Sequence, residues 1–180
     1  MIKYGFNINF WFSKDWLNID IHKALDEISL TGWNGIELVR EQLEIFYDDY
    51  KYFADLLNLH NLEVSSYYSW LNIIDNDSRV LDLDCVKRKC DFLKKLGCKI
   101  LLIDGGTRDF NKSSSKDYEL VVDFINEIGQ IAKTFEMKCS WHVHRGSIFD
   151  RSEDFIYFMN NTDSGLIGLC PDTAQLFYAR

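Results

Sequence analysis

The sequence contains little proline and no long apolar run. Pro171 is the only proline among the 180 residues, which leaves no room for a proline-rich linker. No apolar stretch approaches the roughly 20 residues that a membrane span requires. Polar and charged residues interrupt the first 20 positions, so we expect no signal peptide. These absences predict one cytoplasmic domain that spans residues 1–180 and does not cross a membrane.

Clustered basic residues and paired cysteines are also scarce. The chain has 28 acidic and 20 basic side chains, a net charge of −8, and its longest basic run is Lys87-Arg88-Lys89. A surface that binds nucleic acid needs clustered cations to displace counterions from phosphates, so nucleic acid is disfavoured as a partner. The five cysteines are odd in number and have no Cys-x-x-Cys spacing. This pattern indicates reduced thiols rather than disulfides or a zinc knuckle.

Short apolar runs alternate with long amphipathic stretches along the whole chain. We predict strands at about 2–8, 35–38, 62–68, 99–104, 139–144 and 166–170, and helices at about 19–31, 41–60, 78–96, 115–136 and 151–160. Strands that alternate with helices are typical of a parallel sheet whose two faces are both covered.

The turn after the first predicted strand favours a barrel over an open, doubly wound sheet. A dinucleotide-binding fold has a glycine-rich turn there, whereas this chain has Asn9-Phe-Trp-Phe-Ser13. We therefore predict an α/β fold of the (β/α)8 TIM-barrel type. Because a full barrel takes about 250 residues, we expect about six of its eight β/α units, truncated at the C-terminal side. Six strands would leave two open sheet edges, through which a homo-oligomer could form.

Polar side chains occur where the predicted strands end. In a barrel, functional side chains lie at the C-terminal ends of the strands. The residues at these positions are Asn7 and Asn9, Glu37, Tyr67 or Tyr68, Asp104, His142 and His144, and Asp172. Carboxylates and imidazoles are suitable ligands for a divalent metal ion. The sequence therefore predicts a metal site at the mouth of the barrel.

The stretch Trp141-His-Val-His144-Arg-Gly-Ser147 is the most informative. Alternate residues of a strand share a face, so His142 and His144 are expected to point the same way. Both can bind a metal, or one can bind a metal while the other contacts substrate. A hydrogen-bonded pair that only lines the barrel is the structural alternative. Arg145 and Ser147 follow in a loop, where a guanidinium or a hydroxyl can bind a substrate oxygen.

The other candidates each have two interpretations. Asp172 either points into the mouth of the barrel or caps the helix that follows it. Glu37 either belongs to the shell of ligands or pairs with a basic side chain inside the barrel. Asp104, followed by two glycines, also suits a tight turn. Trp11 lies in a loop at the same rim and could cover a sugar, although core packing is the usual role of such a residue.

Four segments, taken in order, cover the whole chain and resemble one known family. They are Gly32-Trp-Asn-Gly-Ile-Glu-Leu38, Leu96-Gly-Cys-Lys99 leading to Asp104-Gly-Gly106, His142-Val-His144-Arg-Gly-Ser147, and Gly168-Leu-Cys-Pro-Asp-Thr-Ala-Gln-Leu176. They resemble the sugar phosphate isomerase/epimerase group of xylose-isomerase-like TIM barrels, a group that also includes inosose dehydratases.

The resemblance implies a divalent metal ion (manganese, cobalt, magnesium or zinc) and a small-molecule sugar or cyclitol as substrate. By position, Asp172 and His142 match metal ligands. The predicted catalytic residues are Glu37, His144 and Arg145, and the predicted substrate contacts are Asn7, Trp11, Tyr68, Ser147 and Gln175. Many relatives have Glu where His142 stands and His where Gln175 stands. The family's ligands on strands seven and eight are expected to lie beyond the six strands of this chain.

Several functions are compatible with these features. The favoured hypothesis is a metal-dependent isomerase or epimerase that moves a proton on the carbon next to a carbonyl. An inosose-type dehydratase on the same fold is one alternative. A non-catalytic fragment or binding module that associates through open barrel edges is another. An endonuclease of the type IV AP class shares the barrel but should have a basic surface facing DNA, which the net charge of −8 disfavours.

Overall fold

Six parallel strands form one sheet in the computed structural model, which describes residues 3–14, 19–39, 44, 46–71, 79–105 and 115–178. The strands are β1 Gly5–Asn7, β2 Gly35–Val39, β3 Glu63–Leu71, β4 Ile100–Gly105, β5 Lys138–His142 and β6 Ile167–Cys170. Their spatial order follows the sequence, as in a TIM barrel. Among the described residues β1 pairs only with β2 and β6 only with β5. The prediction of an incomplete barrel is therefore confirmed.

A helix follows each strand. A short 3-10 helix spans Ile8–Trp11, and the α-helices are α1 Ile21–Leu30, α2 Tyr50–Leu59, α3 Arg79–Lys95, α4 Ser115–Thr134, α5 Ser152–Asn161 and α6 Thr173–Tyr178. The second helix was predicted at about 41–60, whereas α2 begins at Tyr50. Asp49 accepts a hydrogen bond from the Tyr52 N–H and caps the helix there. Residues 40–43 and 45 lie outside the described residues.

The strands direct alternate side chains into two different environments. On β3, Tyr67 is fully buried on the side covered by α3, where the Lys89 ammonium lies 5.4 Å from the centre of its ring. Tyr68 points to the opposite face, the interior of the barrel. The pairing of β3 with β4 aligns Tyr68 with Leu102. It also aligns Trp70, which faces the same side as Tyr68, with Asp104. This register places the polar side chains of neighbouring strands at one end of the barrel.

The ends of β3 and β5 differ from the prediction. β3 continues to Leu71, so Trp70 lies in a strand rather than in a loop. β5 ends at His142, so His144 lies just beyond the strand. Gly105 has a φ of +149°, and a Cβ there would collide with the carbonyl oxygen of Leu71. A glycine at this position therefore allows β4 to pair with β3 up to its last residue.

Two other predictions concern the cysteines and the membrane. All five cysteines are free thiols. Burial raises the pKa of Cys90 to about 12 and also raises the pKa of Cys139, so both thiols are protonated at neutral pH.

Among the described helices, none combines the length and the apolar character needed to cross a membrane.

Candidate active site

A cavity of about 620 Å³ opens where the parallel strands end. Its lining residues come from β1, β2, β3 and β5 and from the segments that follow β1, β5 and β6: Asn7, Asn9, Glu37, Val39, Tyr68, Trp70, His142, His144, Asp172 and Gln175. Most of the residues predicted from the sequence as site residues are in this set. The C-terminal ends of parallel strands are where (β/α)8 barrels hold their active sites, so we treat this cavity as the candidate site.

Glu37 has a hydrogen-bond donor at each carboxylate oxygen. The Asn7 amide Nδ2 donates to Oε1 at 2.6 Å, and the Ser66 hydroxyl donates to Oε2 at 2.7 Å. The Asn7 Oδ1 accepts the backbone N–H of Asn9 at 2.9 Å, which fixes the amide with its nitrogen toward Glu37. The partners of Glu37 are thus an amide and a hydroxyl. Each oxygen keeps a further lone pair with which to accept another proton.

His142 and Asp172 face each other at the mouth of the cavity. Nε2 of His142 lies 3.9 Å from Oδ2 of Asp172. Burial lowers the pKa of His142, while the carboxylates of Asp172 and Glu37 act in the opposite direction. The lowered pKa favours the neutral imidazole, which is the form that binds a metal ion.

Both interpretations of Asp172 apply at once. Its Oδ1 accepts the backbone N–H groups of Ala174 at 2.8 Å and Gln175 at 3.0 Å, and therefore caps α6. Its Oδ2 is the oxygen that faces His142. The cap thus fixes the direction of the oxygen that points toward the cavity.

His144 is held by the loop that carries it and by Gln175. Its Nδ1 lies 3.1 Å from the carbonyl oxygen of Arg145, and its Nε2 lies 3.3 Å from Nε2 of Gln175. A proton on Nδ1 satisfies the carbonyl, and Nε2 then accepts a hydrogen bond from the Gln175 amide. The Gln175 Oε1 in turn accepts the backbone N–H of Arg145 at 3.0 Å. One glutamine side chain therefore orients both the imidazole and its loop.

Two aromatic side chains of β3 contact the two histidines. The Tyr68 and His142 rings meet edge to face with centroids 5.1 Å apart, and the Trp70 and His144 rings do so at 6.0 Å. The two imidazole centroids are 6.2 Å apart. Edge-to-face contacts of this kind favour one ring orientation over others. The pair of histidines predicted from the sequence is thus brought together in the site, supported by β3.

Asp104 is a buried residue beside Tyr68 and is not part of the cavity lining. Its side chain has no exposed area, and its Oδ2 accepts the Tyr68 hydroxyl at 3.3 Å. Burial raises the pKa of Asp104 to about 7, against the lowering effect of the Gly105 N–H, Tyr68 and Ser147 hydrogen-bond donors. The sequence identified Asp104 as a strand-end residue but could not show that it is fully buried. An aspartate that ends an apolar strand was the available signal.

Three predicted site residues lie outside the cavity lining. Trp11 packs edge-on against Phe6 at 5.5 Å, and its Nε1 donates to Glu27 at 2.7 Å. Ser147 is fully buried. Arg145 is exposed and contributes its backbone N–H to Gln175. The 3-10 helix after β1 places Trp11 beside Phe6, on the outer face of the strand.

The donor chemistry fits a divalent metal ion in part. His142 and Asp172 provide one imidazole nitrogen and one carboxylate oxygen, and their separation of 3.9 Å is less than the sum of two metal–ligand bonds of about 2.0–2.2 Å each. Within the part of the chain that the structure describes, no group of three or more His, Cys, Asp or Glu side chains could hold a metal ion. The pair therefore offers two donor atoms of suitable chemistry, and a complete metal site would need others.

Residues 25–180 match the model of the xylose isomerase-like TIM barrel family, and the chain belongs to this family. Inosose dehydratase of Clostridium botulinum (strain Eklund 17B / Type B) is 23% identical to this chain over 172 residues. The alignment covers 87% of this chain and 55% of that protein. The chain thus spans little more than half the length of this relative.

Solved structures share the fold at low sequence identity. The probable 3-DHS dehydratase AsbF of Bacillus anthracis superposes with a TM-score of 0.83 at 14% identity, covering 99% of this chain and 65% of AsbF. D-psicose 3-epimerase of Clostridium cellulolyticum H10 gives 0.77 at 14%, covering 98% and 65%. A xylose isomerase-like TIM barrel protein of Mycobacterium smegmatis, in complex with magnesium, gives 0.75 at 16%, covering 98% and 68%. These neighbours include a dehydratase, an epimerase and a magnesium complex.

Proposed function

We propose that this chain contains part of the active site of a metal-dependent enzyme that moves a proton next to the carbonyl of a sugar or cyclitol, as an isomerase or epimerase. The observation that carries the proposal is the His142–Asp172 pair, 3.9 Å apart, on the wall of a cavity that Glu37 also lines. Metal ligands and a proton acceptor around one cavity are what this chemistry needs. The family and its magnesium-containing member support this assignment.

Each residue receives a role from its contacts. His142 and Asp172 would hold the ion, which when bound acts as a Lewis acid toward a substrate carbonyl. Glu37, oriented by Asn7 and Ser66, accepts the proton from the neighbouring carbon.

His144 exchanges a proton with a substrate oxygen through Nε2, and the substrate then replaces the Gln175 amide at this nitrogen. Tyr68 and Gln175 line the same cavity and contact substrate hydroxyls. Arg145, exposed in the adjacent loop, binds a substrate oxygen at the rim.

A dehydratase is the second candidate. Inosose dehydratase shares 23% identity with this chain, and a probable 3-DHS dehydratase superposes on it with a TM-score of 0.83. The proposed isomerase or epimerase reaction and the dehydratase reaction both begin with removal of a proton next to a carbonyl. The dehydratase must also protonate a departing hydroxyl, a step that we assign to His144. The same residues therefore support both reactions.

Titration calorimetry with Mn²⁺ tests the metal site. We expect the wild-type chain to bind Mn²⁺, and we expect the H142A and D172N variants each to bind it at least tenfold more weakly, because each loses a ligand. D172N keeps an oxygen that can cap α6, so the loss of binding cannot be attributed to an unfolded helix.

The chain contains a matched control for this experiment. Nδ1 of His60 lies 3.6 Å from Oδ1 of Asp26, which is a similar pair of donors outside the cavity lining. The variant D26N should leave the Mn²⁺ affinity unchanged. Absence of Mn²⁺ binding by the wild type, or equal losses in D26N and D172N, would contradict the proposal.

A further inference from the structure

We propose that Asp104 is a positioning residue of this site, which fixes the His142 imidazole through Tyr68. The inference rests on the proposed function only in giving this histidine a task. The contacts that carry it stand independently of any metal or substrate.

Tyr68 connects Asp104 to His142. The Tyr68 hydroxyl donates to Oδ2 of Asp104 at 3.3 Å. The ring of the same tyrosine lies edge to face against His142 at 5.1 Å. The hydrogen bond fixes the far end of the tyrosine side chain, so the ring has one position from which to support the imidazole.

The burial of Asp104 is costly, and a purely structural role would not require it. A carboxyl group without exposed area loses its hydration, and the nearby Asp150 carboxylate adds a like charge. In the described part of the chain, Oδ1 of Asp104 has no partner with hydrogen-bond geometry. An apolar residue would pack here without these costs. A directional hydrogen bond with Tyr68 is what a carboxyl provides and an aliphatic side chain does not.

NMR on metal-free protein tests the proposal. The readout is the nuclear Overhauser effect between the ring protons of Tyr68 and His142, because it reports their contact directly. We expect D104A and Y68F each to weaken this effect at least twofold. D104N should preserve it, because an amide oxygen can still accept the tyrosine hydroxyl. In the double variant D104A/Y68F, no further loss is expected beyond that of either single variant.

The Y68F variant protects the test against misfolding of D104A, since it removes one hydroxyl and leaves the ring. An unchanged effect in both folded single variants would overturn the proposal, as would equal losses in D104N and D104A. Mn²⁺ affinity provides a second readout, and D104A should weaken it about tenfold while D104N changes it little. If the wild type binds no Mn²⁺, the proposed function fails, but the metal-free NMR result still decides the role of Asp104.

Discussion

Asp172 uses its two carboxylate oxygens for different contacts: Oδ1 accepts the backbone N–H groups at the start of α6, and Oδ2 lies 3.9 Å from Nε2 of His142. A cap and a ligand position are usually considered as alternatives for such an aspartate. Here the cap holds the carboxylate by one oxygen and leaves the other to face the cavity. Local folding of the chain after β6 therefore determines the geometry of the candidate metal site.

The dual role predicts different results for two substitutions of Asp172. D172A removes the cap, at a cost of about 1 kcal/mol, whereas D172N retains an oxygen that can accept the same N–H groups. Hydrogen exchange of the Ala174 and Gln175 amides should accelerate about fivefold in D172A and change little in D172N. Equal acceleration in both variants would show that the cap does not depend on the side-chain oxygen.

The buried carboxyl of Asp104 should make the free energy of unfolding of the protein depend on pH. Its pKa in the folded chain is raised to about 7 by burial, so the folded state holds a proton that the unfolded state releases at lower pH. The wild type should therefore lose stability as the pH rises from about 4 to about 7. D104N has no proton to lose at this position.

Urea unfolding at pH 4.5 and at pH 8 measures this difference. The free energy of unfolding of D104N relative to the wild type should increase between the two pH values by an amount on the order of 3 kcal/mol. D84N, at an exposed aspartate of α3, provides a control for the chemical change from a carboxyl to an amide. Parallel pH profiles for D104N and the wild type would contradict the burial of an ionisable Asp104.

The hydrogen bonds to Glu37 predict a difference between two adjacent serines. The Ser66 hydroxyl donates to the Glu37 carboxylate at 2.7 Å, whereas the Ser65 hydroxyl donates to the neutral carbonyl oxygen of Ile36 at 2.9 Å. A hydrogen bond to a charged group contributes about 1.5–3 kcal/mol and a neutral one about 1 kcal/mol. S66A should thus lower the free energy of unfolding more than S65A does, as measured by urea denaturation. The reverse order would show that Glu37 gains little from Ser66.

The proposed proton transfer next to a carbonyl predicts that a substrate exchanges hydrogen with the solvent. In heavy water, an inosose or a ketohexose bound in the cavity should exchange the hydrogen next to its carbonyl, as followed by mass spectrometry. An isomerase or epimerase retains all atoms of the substrate, whereas a dehydratase releases one water. E37Q should suppress the exchange in either case, because its amide cannot accept the proton. Exchange at the wild-type rate in E37Q would exclude Glu37 as the base.

The sequence predicted the order of the elements well because the signals were periodic and local. The stripe of Ala24, Leu25 and Ile28 on α1 is buried in the structure as its helical spacing predicts. The beginning of α2 was predicted poorly. The predicted helix was extended back to about residue 41, and the capping aspartate at position 49 was not recognised.

The candidate site was predictable where residues follow strands directly. Glu37, His142 and Asp172 were expected at strand ends and do line one cavity. Trp11 and Ser147 were expected at the rim, but their positions depend on tertiary contacts with Phe6, Glu27 and Asp104. Burial of Asp104 likewise arises from β3 and the loop after β5, which are distant in sequence. No local pattern encodes such contacts.

Anomalous X-ray diffraction from crystals grown with Mn²⁺ tests whether His142 and Asp172 bind the same metal ion. We expect a manganese peak at bonding distance from both Nε2 of His142 and Oδ2 of Asp172, lost in the H142A variant. Manganese found only elsewhere, for example beside the His60–Asp26 pair, or no bound manganese at a concentration that saturates wild-type binding in solution, would contradict this expectation.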